Sequence, residues 1–207
     1  MSLNSINPHQ GPWRAAGTLL LPLGALYSAG ARLRRLAFRR GWLKSFSAGV
    51  PVISVGNITT GGTGKTPMVQ LLARWLHDEG LRPAVLSRGY GGTEAGDVLV
   101  LEPGSDPDPE LAGDEPCLLS RSLPHVPVLV SPDRIAAARL AVDRLGAGLL
   151  LLDDGFQHLR LRRDLDLLLV DATEPLWKNR VIPAGTLREP LCAMGRADAV
   201  ICTRAPD

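Results

Sequence analysis

Cysteine is scarce in this sequence, and its charges are nearly balanced. Cys117, Cys192 and Cys202 are the only three cysteines in 207 residues, with no C-x-x-C pair and no histidine at ligand spacing. That pattern disfavours a disulfide framework and a zinc site, and it suits a reducing cytosol. A formal net charge of +2 argues neither for nor against a polyanionic partner, so local clustering has to decide. There is no internal repeat, and no Asn-Lys-x-Asp of the kind that specifies guanine. The length suggests one domain with an appendage and allows a sizeable core.

Charge is also missing from Ala15 to Ala31, where Leu19-Leu20-Leu21-Pro22-Leu23 forms an apolar centre, and Arg32, Arg34, Arg35, Arg39, Arg40 and Lys44 follow directly. A transmembrane helix needs about 20 apolar residues, which puts this run at the short limit, and Pro22, Gly24 and Gly30 interrupt it. A secretory signal is suggested by Ala29-Gly30-Ala31, but basic residues just after a cleavage site oppose export. An interfacial helix fits better. Leu26, Leu33, Leu36 and Ala37 share one helical face, Arg32, Arg35 and Arg39 share another, and Trp42 sits near the end. A packing helix with a solvated basic face has the same composition and stays open.

Behind this segment the pattern alternates between strand and helix. Strands are expected at Pro51–Gly56, Pro83–Ser87, Val126–Val130, Leu149–Leu152, Leu165–Val170 and Ala199–Cys202. Helices are expected after Lys65, with Val69, Leu72, Trp75 and Leu76 on one face until Gly80, near Asp114, and from Arg134 to Leu145. Continuous apolar strands between helices predict an α/β fold, a mostly parallel sheet covered on both faces. Ligands gather at the carboxyl ends of such strands. Gly104 to Pro109 reads as a surface loop.

The first strand runs into Thr59-Thr60-Gly61-Gly62-Thr63-Gly64-Lys65-Thr66. Strand, Gly-rich loop and Gly-Lys-Thr at a helix start make a phosphate-binding loop, in which backbone N–H groups cradle phosphates, Lys65 reaches the β/γ-phosphates and the Thr66 hydroxyl ligates Mg²⁺. The general pattern has glycine where Thr59 stands, and Gly61 and Gly62 are expected to supply the missing flexibility. Leu149–Leu152 ends in Asp153-Asp154, resembling a Walker B strand that presents carboxylate to Mg²⁺. Adjacent strand residues alternate faces, so both acids can share a side only if the strand has ended.

Other candidates are less specific. Asp114, in Gly113-Asp114-Glu115-Pro116, begins a helix, and alone it reads as an N-terminal-turn acid. Arg88 and Tyr90, in Ser-Arg-Gly-Tyr-Gly-Gly, and Arg134, Arg188 and Glu189 are candidate substrate contacts. His158 reads as structural.

In order along the chain, Val55-Gly56-Asn57 before Gly-Gly-Thr-Gly-Lys-Thr, Ser-Arg-Gly-Tyr-Gly-Gly, Gly-Asp-Glu-Pro, Asp-Asp-Gly-Phe-Gln-His and Pro-Ala-Gly-Thr-Leu-Arg-Glu-Pro resemble the tetraacyldisaccharide 4′-kinases of lipid A biosynthesis in Gram-negative bacteria. Thr59 itself is similar to that family's variant of the loop. The resemblance implies a P-loop-type kinase domain over residues 49–207, behind a membrane-associating segment over 1–48. It implies ATP and Mg²⁺ as cofactors and γ-phosphoryl transfer to the 4′-hydroxyl of a tetraacylated glucosamine disaccharide 1-phosphate, at the cytoplasmic face of the inner membrane. It makes Asp114 the catalytic acid that helps deprotonate the hydroxyl, beside Lys65 and Thr66 at the triphosphate. No nucleic acid or protein partner is implied. Family members are considerably longer, with a C-terminal region that completes the nucleotide site and supplies a histidine partner for the catalytic Asp. The expectation is therefore the N-terminal portion of a kinase. A nucleotide-binding, membrane-adhering module without turnover, or another P-loop ATPase, is the alternative.

Overall fold

A computed structural model of the chain describes residues 20–88, 98–174 and 176–205. Seven strands form one sheet: β1 Val52–Gly56, β2 Pro83–Ser87, β3 Leu99–Leu101, β4 Val128–Val130, β5 Leu149–Asp153, β6 Leu165–Asp171 and β7 Ala199–Thr203, in the order β3-β4-β2-β5-β1-β6-β7. Only the β3–β4 pair is antiparallel; the other pairs are parallel. The mixed α/β class and mostly parallel sheet agree with the sequence reading. β3 was not anticipated, because three residues carry too little periodicity to stand out.

The helices are α1 Leu21–Arg39, α2 Lys65–Asp78, α3 Pro109–Ala112, α4 Asp114–Ser122 and α5 Arg134–Asp143. Strand residues alternate faces, so successive leucines of β5 enter different cores. Leu149 and Leu151 pack with Val69, Ala73 and Leu76 of α2 and with Cys117 and Leu119 of α4. Leu150 and Leu152 pack with Ala137, Ala138 and Ala141 of α5. Helices thus cover both faces. One expected core position fails: Trp75 is 56% exposed while Ala73 is fully buried, because α2 lies close to the sheet and only a small side chain fits at that contact. The expected loop at Gly104 to Pro109 holds until Pro109, which opens α3 with an Asp108 cap.

α1 touches the body through Gly24, Ser28, Ala31, Arg35 and Phe38, its only buried or half-buried residues besides Ala37. Their spacing of four and three residues makes one face. Gly24 is the closest point, since a Cβ there would sit 3.2 Å from the Val181 carbonyl oxygen. Leu26 and Leu33, 71 and 62% exposed, lie on the opposite side, and Leu23, 53% exposed, lies on a flank. Among the described residues no helix is long and apolar enough to cross a membrane.

Candidate active site

β1 and β5 are neighbours, with Val55 opposite Asp153, so their carboxyl ends bring the glycine-rich loop beside the acidic pair. Gly56 makes the approach possible. A Cβ there would lie 2.6 Å from Phe156 Cβ and 2.8 Å from its backbone nitrogen, closer than any real side chain tolerates. Asn57 then organises the loop from inside. Its fully buried amide donates to Thr63 Oγ1 (3.0 Å), the Gly61 carbonyl (3.0 Å) and Thr59 Oγ1 (3.3 Å). Its backbone carbonyl accepts from Gln157 Nε2 at 2.8 Å.

These bonds hold the loop from within, and one expectation about it changes. Thr59 is 4% exposed and joins the internal network and an antiparallel bridge to Leu187, so its side chain is part of the loop's support rather than of its surface. Thr63 is likewise buried, and its carbonyl accepts from Thr203 Oγ1 of β7 at 3.0 Å. The left-handed residue is Gly64 (φ 79), which caps α2, whereas neither Gly61 nor Gly62 has a positive φ. The flexibility demand falls at the loop's end, where the chain turns into the helix. Thr60, Gly61 and Gly62 are exposed at the lip, and Lys65 and Thr66 open α2, half-buried.

Lys65 Nζ stands 3.7 Å from Asp154 Oδ1, and Arg188 Nη1 donates to Asp154 Oδ2 at 2.6 Å. The strand does end between the two acids. Asp153 is the last residue of β5, and Asp154 has a left-handed backbone (φ 55), so the alternation rule no longer separates them. Both line one cavity of about 300 Å³, together with Asp114, Glu115, Ser87 and Arg88. Burial, then the neighbouring Glu115 and Asp154 carboxylates, push the Asp153 carboxyl up to about 6, against the lowering pull of Lys65 and Arg134. Oδ1 of Asp153 and Oδ1 of Asp154 are buried and receive no hydrogen bond. Acceptor-only oxygens held this way suit a cation, and two carboxylates with a nearby hydroxyl suit Mg²⁺, which keeps waters and takes phosphate oxygens as further ligands.

Asp114 is the first residue of α4 and exposed, an acid in the helix's first turn as the motif alone suggested. The same residue also lines the cavity. Arg88 and Asp154 also line a second cleft of about 590 Å³, which continues past Arg134, Arg188 and His158 to Tyr27 and Arg34 of α1. Arg134 is 4% exposed, and its guanidinium donates to the carbonyls of Ser131 (2.8 Å) and Asp153 (3.1 Å), which holds the strand end in place. Glu189 is not brought to either cleft. Arg196 binds both of its carboxylate oxygens, at 2.8 and 2.9 Å. Tyr90 lies outside the described residues.

His158 lines the basic cleft. Burial, then Arg134, Arg163, Arg160 and Arg34, hold its imidazole down to about 4, and its Nε2 is buried without a hydrogen bond. Sequence reasoning had not assigned Asn57, Gln157, Tyr27 and Arg34 to the site. Asn57 alone left a local signal, a polar side chain between a buried strand and a glycine-rich loop.

The family model for tetraacyldisaccharide-1-P 4′-kinase matches residues 16–207. Two relatives described as tetraacyldisaccharide 4′-kinase, from Syntrophotalea carbinolica and Pelobacter propionicus, are each 50% identical, over 91 and 94% of this chain and 53 and 55% of their own length. The crystal structure of the "apo" form of LpxK from Aquifex aeolicus in complex with ATP superposes with a TM-score of 0.83 at 42% identity, covering 91% of this chain and 59% of that one. The chain spans about half the length of the curated relatives it matches. A model that runs through the loop, the acidic pair and the basic cleft leaves one assignment: the chain belongs to the tetraacyldisaccharide-1-P 4′-kinase family.

Proposed function

We propose that this chain forms the nucleotide- and acceptor-facing part of a lipid kinase that moves the γ-phosphoryl group of ATP to the 4′-hydroxyl of a tetraacyldisaccharide 1-phosphate at a membrane surface. The observation that carries this reading is the meeting of two clefts at Arg88 and Asp154. One holds the acids, beside the phosphate-binding loop; the other is lined by arginines and leads to α1. An anionic sugar phosphate seated among Arg34, Arg88, Arg134 and Arg188 would present a hydroxyl toward the acids.

In this reading the fold is of the P-loop type, with residues 49–207 as the kinase domain and 1–48 as the membrane-associating segment. The loop backbone and Lys65 bind the triphosphate. Thr66, Asp153 and Asp154 are the residues that would hold Mg²⁺, which when bound neutralises charge on the phosphate oxygens. Asp114 accepts the proton of the attacking hydroxyl as the new O–P bond forms and ADP departs. Arg188 positions Asp154 through its 2.6 Å bond. The exposed leucines of α1 support a peripheral placement on the inner leaflet.

In the full-length protein, Lys65→Ala and Asp114→Ala are each expected to lower phosphorylation of the lipid disaccharide by at least about 10²-fold. Unchanged turnover in Asp114→Ala would remove its role as base. Incubating the 207-residue chain with ATP, Mg²⁺ and lipid acceptor tests the part alone. Product beyond one turnover per chain makes this half sufficient, and nucleotide binding without product makes it a binding module that needs the remainder of its relatives' length.

A further inference from the structure

We infer that a groove on the other flank of α1 binds the phosphate of an anionic bilayer phospholipid, at a site separate from the acceptor cleft. The groove, about 650 Å³, is lined by Arg35, Phe38 and Arg39 of α1, by Leu161 and Arg162 from the body, and by the Leu191–Arg196 turn. Its cations fall into two sets. Arg163 is fixed by Asp166 (2.9 Å) and by the His158 carbonyl, and Arg196 by Glu189, so each is already neutralised and forms a rigid wall. Arg35, Arg39 and Arg162 have no carboxylate partner within 4.0 Å among the described residues. Three unpaired guanidinium groups around one cavity repel one another, and an anion that bridges them removes that cost. Phosphate is the group whose geometry Arg matches best.

The occupant is a lipid because of what surrounds the cations. Beside the arginines, Phe38, Leu159 and Leu161 line the groove, so it suits an amphiphile better than a free anion. The helix geometry adds the second argument. At 100° per residue, the buried face of Gly24, Ala31 and Phe38 sets Arg34 on one flank and Arg39 on the other, with Leu26 and Leu33 pointing away from the body. Leu36, 37% exposed, stands between Arg39 and the leucine stripe. A bilayer that receives the leucines therefore brings its headgroups level with the groove mouth.

This inference rests on the membrane placement of α1 proposed above, and the experiment separates the two. Co-sedimentation of the chain is measured with vesicles of phosphatidylcholine alone and with one-third phosphatidylglycerol. Arg35→Glu and Arg162→Glu are each expected to weaken binding to the anionic vesicles by roughly 10- to 30-fold, and Arg32→Glu, an equal charge change on α1 outside the groove, by much less. Arg162 is exposed on the body rather than on α1, so its substitution threatens neither the helix nor the core. Binding to neither vesicle defeats the membrane placement itself. Equal binding to both vesicles overturns the groove and leaves only apolar insertion of α1, and equal losses for Arg32→Glu and Arg162→Glu overturn it and leave diffuse charge attraction. Saturable binding of inorganic phosphate without vesicles, lost in Arg162→Glu while vesicle binding is unchanged, makes it a free-phosphate site and overturns the lipid assignment.

Discussion

The two ends of the reaction cleft are built on opposite plans. At the loop end the side chains that shape the loop are tied to one another: the Asn57 amide donates to three acceptors, Thr63 is held by Asn57 and, through its backbone carbonyl, by β7, and Asp154 is paired with Lys65 and Arg188. On the acceptor side, from the acidic cavity through the cleft toward α1, Asp114, Arg88 and Arg34 are exposed and have no ion-pair partner among the described residues. The first end is assembled in advance, which lowers the ordering cost when a flexible triphosphate binds. The second end leaves its charges for an acceptor that brings charge of its own.

If the loop end is rigid by construction, small changes there should cost stability and large changes at the other end should not. Gly56→Ala is the severest test, because its Cβ meets the Phe156 backbone at 2.8 Å; urea unfolding should show a loss of about 3 kcal/mol, the upper range for overpacking. Asn57→Ala removes the donor shared by three acceptors, two of them the buried hydroxyls of Thr59 and Thr63, and should cost about 2 kcal/mol and weaken ATP binding. Asp114→Ala, by contrast, should change stability by less than about 0.5 kcal/mol, as surface substitutions do. Equal losses for Asn57→Ala and Asp114→Ala would erase the distinction between the two ends.

His158 gives a pH-dependent version of the same test. Its pKa of about 4 in the folded chain lies below the ordinary 6.5, so the folded state favours the neutral ring. That contribution is complete above pH 6.5 and is lost as pH falls toward 4. The parent should therefore lose on the order of 2 kcal/mol across that window relative to His158→Gln, after discounting for the partly exposed ring. Parallel stability curves for the two proteins would place the imidazole in water. Among the predicted losses of function, the smallest is that of Arg34→Ala, a several-fold rise in KM for the lipid acceptor with ATP affinity unchanged, worth about 1 kcal/mol for one lost charged contact.

Local pattern was enough for the elements that repeat it. Pro83–Ser87 was read with its observed bounds, and the strands through Val52, Leu165 and Ala199 were read within one residue at either end. Val128–Val130 came out two residues shorter than read: Val126 and Pro127 are apolar but lie outside the strand, although the Pro127 carbonyl still accepts from the Val85 N–H of β2. Asp153 was assigned as a strand end from the four leucines before it. What the sequence could not disclose was direction: which hydroxyls of Thr59 and Thr63 turn inward depends on Asn57, and the pairing of Glu189 with Arg196 depends on packing seven residues apart. Arg134 illustrates the limit. As a charge after a strand it suggests a ligand contact, and in the fold it does line the cleft, but nothing local disclosed that it is buried and also donates to two backbone carbonyls.

The bond from Thr203 Oγ1 to the Thr63 carbonyl spans from the rim of the sheet to the phosphate-binding loop, two strands inward. An edge strand is the part of a sheet easiest to loosen, because one of its sides has no neighbour. Tied in this way, the loop acts as a reporter of the rim: anything that seats on β7 and steadies it also steadies the loop, and by linkage a nucleotide that orders the loop steadies β7 in return.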